Sequence, residues 1–99
     1  MNYITVVRAK LKGNPQEAQM AHDATVEKLS AMTRPMGAIG HRPHLNPQDP
    51  TQFLAIDTWN NLEGLQKFMN DPQVAAAFGQ LFEGMPDISI WQESDWASF

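Results

Sequence analysis

The order of predicted strands and helices constrains the fold of this chain more than any other feature of its sequence. Turn and capping signals separate six segments of regular structure, and these signals are Gly13-Asn14-Pro15, Arg34-Pro35, residues 43–50, Asn60, and Gly84 with Pro86. Segments whose apolar residues alternate with period two predict strands, and segments whose apolar residues recur every three or four positions predict helices. The resulting order is strand, helix, strand, strand, helix, strand.

Four segments have the alternation and the residue types of strands, and they are residues 2–11, 36–41, 52–59 and 87–93. In the first, Thr5 and Val7 alternate with Ile4 and Val6, so apolar side chains are expected on both faces. The second contains two glycines, which is typical of an edge strand or of a close approach by another backbone. The three prolines of residues 43–50 predict a loop between the second and third strands.

Two regions have helical patterns. Residues 15–33 follow Asn14, a suitable N-cap, and Pro15 is acceptable at the first helical position. The apolar stripe of this helix consists of Ala18, Ala21, Val26, Leu29 and Met32. In the second region, Asn60 and Glu63 have the spacing of a capping box, and Asp71-Pro72 predicts that the helix restarts there.

This order is the split βαβ arrangement of ferredoxin-like domains, an α+β fold (βαββαβ) in which helices cover one face of a four-stranded antiparallel sheet. We expect residues 1–99 to form a single domain, because 99 residues is the usual size of one. The expected orientation turns four aliphatic residues toward the helices, namely Leu54, Ile56, Ile88 and Ile90. It leaves Phe53, Trp59 and Trp91 on the uncovered face. Such a patch is typical of an interaction surface, so we expect a homodimer.

Composition excludes several classes of function. Seven basic and eleven acidic residues give a net charge of -4 without any cluster of Lys or Arg, so nucleic acid is not an expected partner. No apolar run approaches the ~20 residues that cross a bilayer, and the N-terminus lacks the basic start of a signal peptide. We therefore expect no membrane partner and a cytoplasmic location. Because the chain has no cysteine, it has no disulfide, thiolate nucleophile or cysteine-ligated metal.

A strand that ends in Asp57-Thr58-Trp59, a helix after it, and an Asp71-Pro72 turn into a second helix follow one another within residues 53–78. In this central third, the sequence resembles the antibiotic biosynthesis monooxygenase family, and the order of the preceding elements also matches. The resemblance implies a dimeric α+β barrel in which the sheets of two subunits face each other. It also implies oxygenation of electron-rich aromatic substrates without metal, flavin or another cofactor.

Departures from the family pattern bear on which branch the chain is similar to. Relatives on the same fold degrade haem, isomerise lactones or have no known activity, so fold does not fix function. Some members have a histidine after the proline of the central turn, where this chain has Gln73. The haem-degrading branch uses an Asn, a Trp and a His, and the corresponding places hold Val6 or Val7, Lys67 or Phe68, and Phe78. Haem is therefore not an expected ligand.

Three histidines are the candidate catalytic residues: His22, His41 and His44. A cofactor-free oxygenase needs a base to remove a phenolic or activated C–H proton, and histidine is the natural base near neutral pH. His22 lies at the edge of the apolar stripe of the first helix, where a packing role is the alternative. His41 and His44 have a spacing that suggests metal binding, but residues three apart on a strand point to opposite faces. Since no third ligand is evident, no metal site is predicted.

Five further residues are candidates for binding a small aromatic substrate: Arg42, Phe53, Asp57, Trp59 and Trp91. Arg42 could hold a substrate oxyanion, and Trp59 could donate its indole N–H to a substrate oxygen. Asp57 could orient a base. For Asp57 and Trp59, a structural role in the core or at the dimer contact is the alternative.

The leading hypothesis is a homodimeric, cofactor-independent monooxygenase-like protein that acts on a small aromatic substrate such as a quinol. Two alternatives stay open. One is a non-catalytic ligand-binding or stress-related dimer, which the absence of the family's histidine at Gln73 favours. The other is an isomerase or decarboxylase on the same fold, which needs a base but no oxygen.

Overall fold

The computed structural model describes residues 1–99 and contains four strands, three α-helices and a short 3-10 helix. In chain order they are β1 (Tyr3–Leu11), α1 (Pro15–Thr33), the 3-10 helix (Arg34–Met36), β2 (Ala38–Leu45), β3 (Gln52–Trp59), α2 (Leu62–Met69), α3 (Pro72–Leu81) and β4 (Phe82–Gln92). The strands form one antiparallel sheet in the order β2-β3-β1-β4. This confirms the predicted ferredoxin-like α+β fold. No helix combines the length and the apolar character needed to cross a membrane.

Side-chain caps fix the starts of α1 and α3 where the sequence predicts them. Asn14 Oδ1 accepts a hydrogen bond of 2.9 Å from the backbone N–H of Glu17. Asp71 Oδ1 accepts one of 2.8 Å from the backbone N–H of Gln73, and Pro72 occupies the first helical position. Each cap satisfies a backbone donor that the first helical turn leaves unpaired.

The start of α2 differs from the prediction by one residue. Asn61, rather than Asn60, is the N-cap, and its Oδ1 accepts a 2.9 Å hydrogen bond from the Gly64 N–H. The Asn60 N–H instead donates to the Gly37 carbonyl at 2.8 Å, which ties the end of β3 to the start of β2. A β-carbon on Gly64 would lie 1.8 Å from the Met36 carbonyl oxygen, so only glycine permits this close approach.

Both outer strands are longer than the sequence predicts. A loop is predicted from Pro43 onward, but β2 continues through it to Leu45. Similarly, β4 begins at Phe82 and includes Gly84 and Pro86, with a shift in its pairing with β1 at this place. Since each outer strand has a neighbour on one side only, a proline there need not cost a hydrogen bond of the sheet.

The pairing of β1 with β3 defines the face of the sheet that the helices cover, which we call the covered face. Thr5 lies opposite Asp57, and Val7 lies opposite Ala55. Thr5, Val7 and Ala55 are only 3%, 6% and 2% exposed, so this face is turned inward. Seven buried residues form the core between this face and the helices: Val7, Leu11, Ala18, Phe53, Ala55, Leu81 and Phe82.

Phe53 and Trp59 lie on the covered face, and the prediction that they occupy the uncovered face is wrong. They are 7% and 3% exposed, and the Trp59 ring packs against Phe68 of α2 with ring centroids 5.3 Å apart. Leu54 and Ile56, which alternate with them, point to the other face, which we call the open face. Large aromatic rings bury more apolar area than Leu or Ile, which favours placing the rings beneath the helices.

The orientation predicted for β4 is confirmed. Ile88 lies opposite Val7 and packs against the core, and Ile90 lies opposite Thr5. Trp91 therefore points to the open face, where it is 60% exposed. The open face carries exposed apolar residues as predicted, but those on β3 are aliphatic rather than aromatic.

Candidate active site

Three elements bring titratable side chains together on the covered face. His41 of β2 lies opposite Asp57 of β3 in the register of the sheet. The helix α1 passes above this pair, because the His22 ring contacts both His41 and Phe53, with ring centroids 5.2 and 5.6 Å apart. Two of the three predicted candidate bases thus meet beside the predicted carboxylate.

Asp57 holds His41 in one orientation. The His41 Nδ1 atom is 2.5 Å from Asp57 Oδ1, and Thr5 Oγ1 donates a 3.3 Å hydrogen bond to Asp57 Oδ2. Because an ionised carboxylate only accepts hydrogen bonds, the His41 proton lies on Nδ1. The Nε2 atom of His41 is thereby directed away from the carboxylate, as in the base and orienting-acid pairs of many hydrolases.

His22 extends this arrangement toward the helix. Its ring stacks on that of His41 with an interplanar angle of 26°, and the two Nε2 atoms are 2.9 Å apart. Its other nitrogen, Nδ1, is 3.0 Å from Oδ1 of Asp23, the next residue on α1. The His22 side chain is 15% exposed, whereas that of His41 is 33% exposed. The two imidazoles can exchange a proton directly.

The histidine pair borders a largely apolar cavity of about 110 Å³, partly open to solvent, between the sheet and α1. Its aromatic wall is a continuous cluster in which neighbouring ring centroids lie 5.3 to 6.3 Å apart, formed by Phe53, Trp59, Phe68, Phe78 and Phe82. Val26 and Leu29 of the predicted α1 stripe also line the cavity, whereas Ala21 is exposed. The proton-transfer groups therefore face a largely apolar space, in which a charge is poorly solvated.

Several solved structures have the same architecture as this chain. SnoaB, a cofactor-independent oxygenase from Streptomyces nogalater, is 17% identical with a TM-score of 0.71, over 93% of this chain and 92% of that chain. A candidate antibiotic biosynthesis monooxygenase from Bordetella bronchiseptica is 14% identical with a TM-score of 0.71, over 94% and 97% of the two chains. A second candidate, from Deinococcus radiodurans, is 14% identical with a TM-score of 0.67, over 100% and 98%.

This chain has the fold of the antibiotic biosynthesis monooxygenases. The resemblance drawn from residues 53–78 is confirmed at the level of fold. No protein-family model and no curated protein matches the sequence. At such low identities the likeness does not assign the residues of the site, so their roles depend on the geometry of this chain.

Three candidate residues lie outside the cavity. The register of β2 with β3 places Arg42 opposite Ile56 on the open face and His44 opposite Leu54. His44 also borders a second cleft beside α1. Trp91 is on the same face, and its indole N–H donates a 2.8 Å hydrogen bond to Ser89 Oγ. The structure thus unites His22, His41, Asp57, Phe53 and Trp59 around one cavity, which Arg42, His44 and Trp91 do not line.

Sequence reasoning did not identify Thr5, Asp23 or Phe68 as site residues. Thr5 contacts Asp57 across 52 positions of the chain, a pairing that no local pattern reveals. The adjacency of Asp23 to His22 was a usable signal, because a carboxylate beside a histidine is a common partner for it. Phe68 is an apolar residue of the helical region that follows Asn60, and its type predicts burial without distinguishing a cavity wall from core.

Proposed function

We propose that this chain is a cofactor-independent monooxygenase-like protein that acts on a small aromatic substrate such as a quinol. The observation that carries the proposal is the His41 ring, oriented by Asp57 and joined to His22, in the wall of an aromatic cavity. The fold shared with SnoaB, which is named a cofactor-independent oxygenase, agrees with it.

The chemistry needs a base and a poorly hydrated space. The His22 and His41 pair removes the hydroxyl proton of the quinol, and the resulting anion is electron-rich enough to reduce dioxygen. A quinol and one dioxygen then give a hydroxyquinone and water, so one oxygen atom enters the ring and the other leaves as water. General base catalysis of this kind contributes typically ~10²–10⁴-fold in rate.

The cavity supports a substrate with one aromatic ring. Its volume of about 110 Å³ is of the order of the ~150 Å³ engineered cavity that binds benzene. Phe53 and Trp59 present ring faces and edges for stacking. The Trp59 indole N–H has no acceptor within the protein and is not sealed from solvent, so it is available to a substrate oxygen.

Oxygen uptake with a panel of single-ring quinols tests the proposal. We expect the wild-type protein to consume dioxygen faster than buffer, and His41→Ala to lose roughly 100-fold or more of that rate. His44→Ala is the matched control, because His44 does not line the cavity, and it should retain the wild-type rate. Wild-type rates equal to buffer across the panel, or equal losses in both variants, would reject the proposal.

The same experiment separates the two alternative functions. Conversion of a substrate without dioxygen uptake would identify an isomerase or decarboxylase, since the base is retained and the oxidant is not used. Saturable binding of a quinol without conversion would identify a ligand-binding protein.

We also propose that a second copy of this chain covers the open face, which makes the protein a homodimer. Only 13 of 99 residues are buried in one subunit, so a further buried face would add substantially to its stability. Ile56 and Trp91 are 38% and 60% exposed on this face, an apolar surface of the kind that pairs in dimers. Sedimentation should show a dimer at micromolar concentration, and a lone subunit there would contradict this proposal.

A further inference from the structure

A chain of hydrogen bonds through the two histidines ends on a carboxylate at each side. Asp57 Oδ1 is 2.5 Å from His41 Nδ1, the two Nε2 atoms are 2.9 Å apart, and His22 Nδ1 is 3.0 Å from Asp23 Oδ1. Because ionised carboxylates only accept, each Nδ1 atom must donate, and one Nε2 atom must donate to the other. The three contacts therefore require three N–H protons on two imidazole rings.

Three protons on two rings correspond to one imidazole and one imidazolium. Two neutral imidazoles carry two N–H protons, so a neutral pair leaves one of the three contacts without a proton. Either two lone pairs then face each other, or a lone pair faces a carboxylate. One added proton satisfies every contact, and another would set N–H against N–H. The geometry makes the pair an acceptor of a single proton.

The two ends of the chain of hydrogen bonds differ in their access to solvent. At the inner end, Asp57 is 20% exposed and its second oxygen accepts from Thr5, which is 3% exposed. At the outer end, the Asp23 side chain is 64% exposed. His22 borders both the cavity and a second, wider cleft that Asp23 also borders, which we call the outer cleft. His22 thus forms a wall between the two spaces.

We propose that His22 and Asp23 are the proton exit of this site. The inference rests on the proposed function, in which the pair accepts a proton from the substrate. The substrate O–H bond breaks, its proton bonds to the vacant Nε2 position between the rings, and its electron pair stays on the substrate. The proton on His22 Nδ1 then passes by way of Asp23 to water in the outer cleft, which leaves a neutral pair that keeps the proton between the two Nε2 atoms. Asp23 is a positioning residue, since it does not line the cavity.

The donor set favours a shared proton over a shared metal ion. Nowhere do three or more His, Cys, Asp or Glu side chains come together in a way that could hold a metal. Zinc and similar ions usually take three or four protein ligands, and here only two Nε2 atoms converge.

Few other charges act on the histidine pair. His44 borders the outer cleft, and Asp23 and Asp57 are the carboxylates in contact with the pair. The remaining elements contribute only apolar side chains to the cavity, namely Val7 of β1, Phe68 of α2, Phe78 and Leu81 of α3, and Phe82 of β4. Changes in proton occupancy of the pair can therefore be assigned to these three groups.

Nitrogen NMR of the histidine rings, without substrate, tests the proton count. We expect one proton to be shared by the Nε2 atoms of His22 and His41, with both Nε2 signals between the protonated and unprotonated positions. His44, outside the chain of hydrogen bonds, provides the internal reference. Nε2 signals at the fully protonated or fully unprotonated positions, with no shared proton, would overturn the inference.

Substitution of Asp23 tests the exit itself. Asp23→Asn should weaken the hold on the His22 Nδ1 proton, move the two Nε2 signals away from their shared positions, and lower the rate of oxygen uptake 3- to 10-fold, about the effect of one weakened hydrogen bond. Asp23→Glu should restore both. Glu27→Gln, an exposed change on the same helix outside the chain of hydrogen bonds, is the matched control. Equal behaviour of Asp23→Asn and Glu27→Gln would overturn the exit.

Two further outcomes distinguish this inference from the proposed function. A shared proton in the NMR spectra with no oxygen uptake would leave the pair intact and reject the oxygenase. Oxygen uptake that depends on His41, without a shared proton in the NMR spectra, would support the oxygenase and reject the inference. Stoichiometric binding of added Zn²⁺ to both Nε2 atoms would identify a metal site and overturn the proton exit.

Discussion

The covered face and the open face use alternate residues of the same strands for different purposes. On β3, the covered face carries Phe53 and Asp57, and the open face carries Leu54 and Ile56. On the covered face, the Asp57 carboxylate is paired with His41 and Thr5, because an unpaired charge beneath the helices would cost its full desolvation energy. The open face has no such restriction within one subunit. The comparison indicates that the chain's own helices cover the site, whereas the open face would be covered only by the proposed second copy.

The two tryptophans give the sharpest contrast between the faces. Trp59→Ala should lower the free energy of unfolding by ~3–5 kcal/mol, because Trp59 is 3% exposed and its removal leaves a large cavity. Trp91→Ala should change the stability of the single subunit by less than ~0.5 kcal/mol, because Trp91 is 60% exposed. Urea denaturation at several protein concentrations measures both. Similar losses in the free energy of unfolding for the two variants at low protein concentration would show that the two faces do not differ in this way.

A charge on the open face should break the dimer without unfolding the subunit. Ile56→Lys would place an unpaired ammonium in the proposed interface, which should weaken association by on the order of 2 kcal/mol, or about 30-fold. Gln80→Lys, an exposed position on α3, introduces the same charge away from the sheet. Sedimentation of the two variants measures the difference. A dimer unaffected by Ile56→Lys would place the interface elsewhere.

Two helical glycines test the packing that closes one end of the covered face. Gly64→Ala should destabilise the fold by ~1–3 kcal/mol, because the added carbon meets the Met36 carbonyl and forces α2 away. Gly79→Ala on α3 is the control, since a β-carbon there contacts nothing within 4 Å. It should stabilise its helix by up to ~1 kcal/mol. Thermal unfolding measures the two shifts, and the same sign for both would contradict the close approach of α2.

The smallest expected effect lies in the loop between β2 and β3. Hydrogen bonds from the side chain and backbone of Thr51 hold the pKa of Asp49 below its ordinary value of 3.8. A lowered pKa contributes stability that is present above pH 3.8 and is lost as the pH falls through the folded value. Thr51→Val removes the hydroxyl donor and should raise the pKa of Asp49, with a slight loss of stability at neutral pH. Carboxyl NMR measures the pKa, and an unchanged value would contradict this cause.

Local signals were sufficient for most of the fold. The bounds of α1 and β3 agree with the prediction because Asn14 caps the helix and a clear alternation marks the strand. The outer strands were predicted too short, because a proline stops an interior strand but not an edge strand. The faces of β3 were exchanged because both of its alternating sets are largely apolar, and the set that contains Asp57 lies on the covered face. The hydrogen bonds of Asp57 with His41 and Thr5 offset the cost of placing this carboxylate on the covered face, and they arise only in the tertiary structure.

The candidate site was predictable as a set of residues but not as an arrangement. Chemistry selects His22, His41 and His44, because few other side chains accept a proton near neutral pH, and Asp57 was predicted as a carboxylate that could orient such a base. Their convergence depends on where α1 passes above β2, which the spacing of 19 residues between the histidines does not determine. The same packing leaves His44 outside the cavity, although its residue type is identical.

The prolines of the outer strands have a consequence for self-association. Pro43 lies in β2 and Pro86 in β4, so each free margin of the sheet contains a residue with no N–H to offer an incoming strand. Sheets that lack such interruptions can extend laterally from molecule to molecule and grow into filaments. In this protein, a proline disfavours strand pairing at both edges of the sheet. Contact through the face of the sheet is therefore the favoured way for two copies to associate.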